Sequence, residues 1–153
     1  MTTLDCHAVI CDMEGTLLTF TGAIPGAVDA IATIPAGRWG IATTAPHAAT
    51  RRRVAEAGFP EPPVVVASED VINTKPDPEP YETAADQLGT RAEECVVFED
   101  SVVGVTAAVA SGATVVIVGG VDAPVTRGLR RIPDFTGVTF EPGPSGVRVH
   151  LPG

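Results

Sequence analysis

Short apolar runs alternate along the chain with amphipathic stretches. The runs at residues 7–11, 39–43, 64–67, 95–98 and 114–118 are apolar nearly throughout rather than in strict alternation, as expected of strands covered on both faces. Between them, residues 26–34, 47–57, 79–88 and 102–111 read as helices, and a shorter helix is expected at 123–130. Strand, helix, strand, repeated, predicts an α/β fold with a central parallel sheet and right-handed crossovers. Punctuation agrees: Pro25 can open a helix, and Ala57–Gly58 and Leu88–Gly89 can close two others. The tail FTGVTFEPGPSGVRVHLPG carries two β-like runs about a Gly/Pro turn at 142–146, predicting a C-terminal hairpin added to a sheet edge.

The 153 residues are the length of one domain, so residues 1–153 are expected to form a single core, and 44% hydrophobic residues suffice to fill it. No apolar run has the roughly 20 residues of a membrane span. The opening MTTLDCHAVICD lacks a basic start followed by an apolar stretch, so no secretory signal is expected. The net charge of −9 disfavours nucleic acid and acidic membranes as partners. Cys6, Cys11 and Cys95 are odd in number and fall in or beside apolar runs, which suits reduced, buried thiols in a cytoplasmic protein and lacks the close pairs of a zinc site.

Candidate chemistry collects at one edge. Ligands of open parallel sheets gather outside the carboxyl ends of the strands. There the sequence places Asp12 and Glu14 after the first run, Thr43 and Thr44 at the second, Lys75 in the loop NTKPDPEPY after the third, and Glu99–Asp100 at the fourth. Clustered carboxylates repel one another unless a cation sits among them, which points to a hard divalent ion bound through oxygen, Mg²⁺ in particular. A carboxylate held there can attack phosphorus, and a lysine and a hydroxyl can hold phosphoryl oxygens. Each residue alone has a plainer reading: Glu99–Asp100 could cap the helix at 102–111, Thr43–Thr44 could be structural, and Lys75 could be a solvated charge. Composition favours the cluster, because a chain with nine arginines keeps a single lysine and places it at this edge. The basic runs at 51–53 and 127–131 read as solvated faces, or as contacts for an acidic partner, and His47 lies near enough to the second motif to touch a ligand.

These residues resemble the motifs of the haloacid dehalogenase superfamily of phosphohydrolases. AVICDMEGTLL resembles its first motif, WGIATTAP the second, NTKPDPEPY the third and CVVFEDSVVGVTAAVASGA the fourth. The order and spacing are similar to the branch that hydrolyses sugar and polyol phosphates. The resemblance implies a three-layer Rossmann-like core and a Mg²⁺-dependent phosphate monoester hydrolase working through an aspartyl-phosphate on Asp12. It implies Glu14 as acid/base and, through its backbone carbonyl, a metal ligand. Thr43, Thr44 and Lys75 would bind phosphate, and Asp12, Glu99 and Asp100 would complete the metal site.

Two departures stand out. Family phosphatases usually carry Asp where this chain has Glu14, one methylene longer. Residues 13–42 leave no room for the helical cap found between the first two motifs of that branch, so a capless core is expected. Its site would be open, taking a phosphorylated small molecule or a larger phosphorylated substrate, or being covered by a second copy in a homo-oligomer. A catalytically silent binding module and a phosphotransferase are the alternatives.

Overall fold

The computed structural model describes the whole chain, residues 1–153. It runs β1 (Thr2–Cys6), β2 (Ala8–Cys11), β3 (Leu18–Thr19), β4 (Gly22–Ala23), α1 (Ala27–Ile31), β5 (Trp39–Ala42), α2 (His47–Glu56) and β6 (Val64–Val66). It continues with α3 (Glu79–Gln87), β7 (Cys95–Glu99), α4 (Val102–Ser111), β8 (Thr114–Val118), β9 (Arg130–Ile132), β10 (Thr139–Gly143) and β11 (Gly146–Leu151). Six strands form the central sheet in the order β6-β5-β2-β7-β8-β9, every pair parallel.

Successive residues of each central strand serve opposite cores, which is why the strands are apolar throughout. Val9 and Cys11 of β2, Trp39 and Ile41 of β5, and Val96 and Phe98 of β7 face α1 and the smaller sheet. Ala8 and Ile10, Ala42, and Val97 face the layer of α3 and α4, where Tyr81, Ala84, Val105 and Ala108 are buried. No helix is long and apolar enough to cross a membrane. The three cysteines are buried and unpaired.

The C-terminal hairpin forms, but it does not extend the central sheet. β11 lies between β10 and β1 in a separate antiparallel sheet, with Thr2 opposite Leu151 and Phe140 opposite Val149. Val147, Val149 and Leu151 point into the core while Arg148 and His150 face outward. That alternation marks a sheet with one wet face, suited to lying over the core rather than joining its edge. β1 itself was not foreseen: TTLDC has too few apolar residues to stand out. Phe98 joins the two sheets, its ring 5.1 Å from that of Phe135 and edge-on to Phe140 at 6.0 Å.

The helix expected at 123–130 is absent. One 3₁₀ turn at Pro124–Thr126 is closed by the Thr126 hydroxyl, which accepts from Ala123 N and donates to Ala123 O. Gly128 then adopts φ +78°, and Arg130–Ile132 pair in parallel with Val116–Val118 as the sixth strand. A backbone that turns left-handed at glycine cannot continue a helix.

Phe135→Ala should cost about 3–5 kcal/mol, the range for deleting a buried aromatic ring. Urea unfolding would show this as a lower midpoint at unchanged slope; a loss below about 1 kcal/mol would mean that the core beside Phe98 closes without the Phe135 ring.

Candidate functional site

Asp12 follows the last residue of β2, and its N–H still bonds to Phe98 O at 3.1 Å, continuing the ladder to β7. The chain then closes sharply: Met13 O accepts from the N–H groups of Thr16, Leu17 and Leu18. Gly15 makes the turn possible. Its φ is +83°, and a Cβ there would lie 2.1 Å from Asp100 Oδ2. Thr16, packed beneath, donates to Asp12 Oδ2 at 3.1 Å or to Asp100 Oδ1 at 3.0 Å, tying the ends of β2 and β7.

Lys75 sits at the centre. Its ammonium donates to Asp12 Oδ1 at 3.0 Å, Ala42 O at 2.9 Å and Glu99 Oε2 at 2.8 Å, and its side chain is 4% exposed. Those acceptors end β2, β5 and β7, so one cation closes three strand ends. The loop delivering it is pinned by Glu79, which accepts from Ile72 N and Asn73 N at 2.7 and 3.1 Å, and by Asp77, which accepts from Glu79 N at 2.9 Å.

Glu99 is fully buried. Its Oε2 accepts from Lys75 and, at 2.5 Å, from the Tyr81 hydroxyl, while its Oε1 accepts from Asp100 N at 3.1 Å. It packs against the first turn of α4, where a Cβ on Gly104 would lie 1.9 Å from Glu99 Oε2. The cap of α4 is Ser101, whose Oγ accepts from Gly104 N, and neither Glu99 nor Asp100 takes that role.

Oxygens of Asp12, Glu99 and Asp100 lie within 4.8 Å of one another, a hard-donor set of the kind a divalent cation takes. Because Glu99 already serves Lys75, Tyr81 and Asp100 N, the free valences of the set belong to Asp12 and Asp100. Burial pushes the Asp12 carboxyl up to about 6, against the pull of the Lys75 charge. Burial likewise raises Glu99 and opposes the charge on Lys75, but Asp12 and Glu99 outweigh it and hold the Lys75 ammonium above its ordinary value.

A cleft of about 370 Å³ opens over this cluster, lined among others by Asp12, Glu14, Thr44, Lys75, Asp100 and Ser101. Thr43 is buried just past β5, its hydroxyl accepting from Ala45 N at 3.1 Å and so left with its own proton to donate. The structure thus brings together Asp12, Lys75, Glu99 and Asp100, with Thr43 and Thr44 beside them. The Glu14 carboxylate does not join the acid cluster. It pairs with Arg53 of α2, Oε1 to Nη1 at 2.6 Å. His47 turns to Asp70 at 2.8 Å.

Sequence reasoning missed Thr16, Tyr81 and Arg53 as members of this site. Tyr81 had a signal, being the chain's single tyrosine and closing the lysine motif. Arg53 had none, since Arg51 and Arg52 beside it make ordinary surface pairs with Glu61 and Glu56. A separate cavity of about 330 Å³ opens at the opposite ends of the strands beside Cys6, His7 and Cys95. Burial pushes those two thiols up to about 11 and 12, so they stay protonated at neutral pH.

Residues 21–112 match the family model of the haloacid dehalogenase-like hydrolases, a span holding Thr43, Lys75, Glu99 and Asp100 and beginning after Asp12. The chain is 39% identical over 101 residues to hexitol phosphatase A of Escherichia coli, covering 63% of this chain and 45% of that protein. It is 30% identical over 103 residues to glycerol-1-phosphate phosphohydrolase 2 of Saccharomyces cerevisiae, covering 61% and 41%. It thus spans less than half the length of these curated relatives. A crystal structure of a CbbY mutant from Rhodobacter sphaeroides in complex with xylulose-(1,5)bisphosphate superposes with a TM-score of 0.64 at 28% identity, covering 76% of this chain and 56% of that one. With the family match spanning more than half of its residues, the chain belongs to the haloacid dehalogenase-like hydrolases.

Proposed function

We propose that this chain hydrolyses small phosphate monoesters, of sugar or polyol type, through a phosphoryl-enzyme on Asp12, with Mg²⁺ as the divalent cation. The observation that carries this reading is the Lys75 ammonium, buried and shared between Asp12 and Glu99 beside Asp100. A solvated surface lysine has no such setting. The relatives named for hexitol and glycerol phosphates supply the substrate class.

In this reading an Asp12 carboxylate oxygen forms the new bond to phosphorus as the ester oxygen leaves. Lys75 and the Thr43 hydroxyl hold the equatorial phosphoryl oxygens, with Thr44 at the cleft wall. Glu14 gives a proton to the departing oxygen and takes one from the water that later cleaves the acyl phosphate. Asp12, Asp100 and the Glu14 carbonyl would hold Mg²⁺, which supplies charge to offset the phosphoryl oxygens when bound. Glu99 orients Lys75. The stretch between β2 and β5 holds the β3–β4 hairpin and α1, which suits an open, capless site where a bulky leaving group can extend into solvent or a second copy can lie across the mouth.

Magnesium-dependent turnover of an aryl phosphate should fall at least about 10³-fold in Asp12→Asn. Turnover retained within tenfold would refute Asp12 as nucleophile. A silent wild type that still binds phosphate would favour a binding module, and phosphate lodged on Asp12 without release would favour transfer to another acceptor.

Lys75→Arg should lose at least about 10²-fold in kcat/KM, because a planar guanidinium cannot occupy the enclosed three-acceptor position of an ammonium.

Mg²⁺ affinity should depend on pH with a known sign. The ion takes the ionised Asp12 carboxylate, whose proton is held up to about 6. Calorimetry should show affinity falling about tenfold per unit below that pH and levelling above it; a flat profile between pH 5 and 7 would place the ion elsewhere.

A further inference from the structure

Glu14 stands apart from the other acids of the cleft. One of its oxygens, Oε1, is held by Arg53 Nη1 at 2.6 Å, and the structure gives Oε2 no partner. Glu14 lines the cleft over Asp12, whereas Arg53 does not. Arg53 instead lines a groove of about 230 Å³ between α2 and the β3–β4 hairpin, beside Leu18, Thr19, Thr21 and Glu56. The pair therefore bridges two neighbouring depressions, with the acid on the cleft side and the base behind it. The Glu14 backbone is fixed as well, through a β-bridge to Leu18 at the start of that hairpin.

We infer that Arg53 is a positioning residue for Glu14, holding the carboxylate of a longer acid where its free oxygen serves the leaving group; the inference rests on the hydrolytic reading of Asp12. A glutamate has one more rotatable bond than an aspartate, so its carboxylate sweeps a wider volume unless something fixes it. A displacement of about 1 Å at a reacting group can cost about 10²-fold in rate. Arg53 supplies the missing constraint as a short ion pair to one oxygen, leaving the other for proton transfer. With Arg53 29% and Glu14 56% exposed, the pair contributes little to folding, so its consequence belongs to kinetics rather than stability. Aspartate at this position would draw its carboxylate back from the same guanidinium by one methylene, so in this reading the length of Glu14 matches the presence of Arg53.

Four proteins test this: wild type, Arg53→Ala, Glu14→Asp and the double variant, assayed in single turnover with Mg²⁺ on glycerol phosphate and on p-nitrophenyl phosphate. Arg53→Ala should lower the rate of leaving-group release about 10- to 100-fold with KM within about threefold. The loss should be greater on glycerol phosphate, whose alkoxide needs a proton, than on the aryl ester. Arg53→Lys should recover part of it. In the Glu14→Asp background, Arg53→Ala should add no loss.

An equal loss in both backgrounds would assign Arg53 a merely structural role and overturn the inference. So would an unchanged or raised rate, which would make the pair idle or inhibitory. Nitrogen-15 NMR gives a readout apart from turnover: the Arg53 guanidinium should rotate slowly in wild type and freely in Glu14→Gln. Free rotation in wild type overturns the inference by itself. Failure of the hydrolytic reading looks different, since all four proteins would then release no leaving group, and this role for Arg53 would fall with it.

Discussion

One ammonium among three strand ends governs the architecture of the site. Lys75 reaches Asp12 from β2, Ala42 O from β5 and Glu99 from β7. Removing charges this completely from water is costly, and their mutual attraction offsets the cost only where every remaining donor and acceptor is matched. The matching is thorough. Tyr81 and Asp100 N complete Glu99, Thr16 completes Asp12, and no buried side-chain polar atom in the chain lacks a partner. The Tyr81 ring also lies 4.9 Å beneath the ammonium, offering its negative face. Such a network favours one arrangement over its neighbours, and the proposed phosphoryl transfer to Asp12 would require that uniqueness.

The sheet explains why this polar centre forms where it does. Along β2, and along β7 as far as Phe98, every side chain belongs to one dry core or the other. At Asp12, just past β2, and at Glu99, the last residue of β7, the layers part and the side chain faces neither core. Polar residues are tolerated at that edge and nowhere further down the strands. At the opposite edge, by contrast, the chain places thiols and loop acids around a cavity with no comparable buried charge.

Much of this was legible beforehand because it follows from local pattern. Continuous apolar runs marked five of the six central strands, all but β9, and β8 and α4 fall at 114–118 and 102–111 as expected. Asp12, Thr43, Thr44, Lys75, Glu99 and Asp100 could be read as neighbours because each ends a strand or lies in the loop beyond one. What could not be read depends on contacts between distant segments. Nothing local shows that Thr16 bridges Asp12 and Asp100, that Gly104 makes space for Glu99, or that Arg53 rather than Arg51 meets Glu14. β9 escaped because three residues with two exposed arginines do not look like a strand until β8 is there to pair with them.

The small antiparallel sheet has a mechanical meaning. A single residue, His7, separates β1 from β2, so the strand held along its whole length by β11 continues with no slack into the one that presents Asp12. The terminal sheet therefore anchors the Asp12 carboxylate from behind. Loosening Thr2–Cys6 from Gly146–Leu151, by shortening the chain or attaching a bulky group beside it, would tug on the active edge although every residue touched lies at the far end of the molecule.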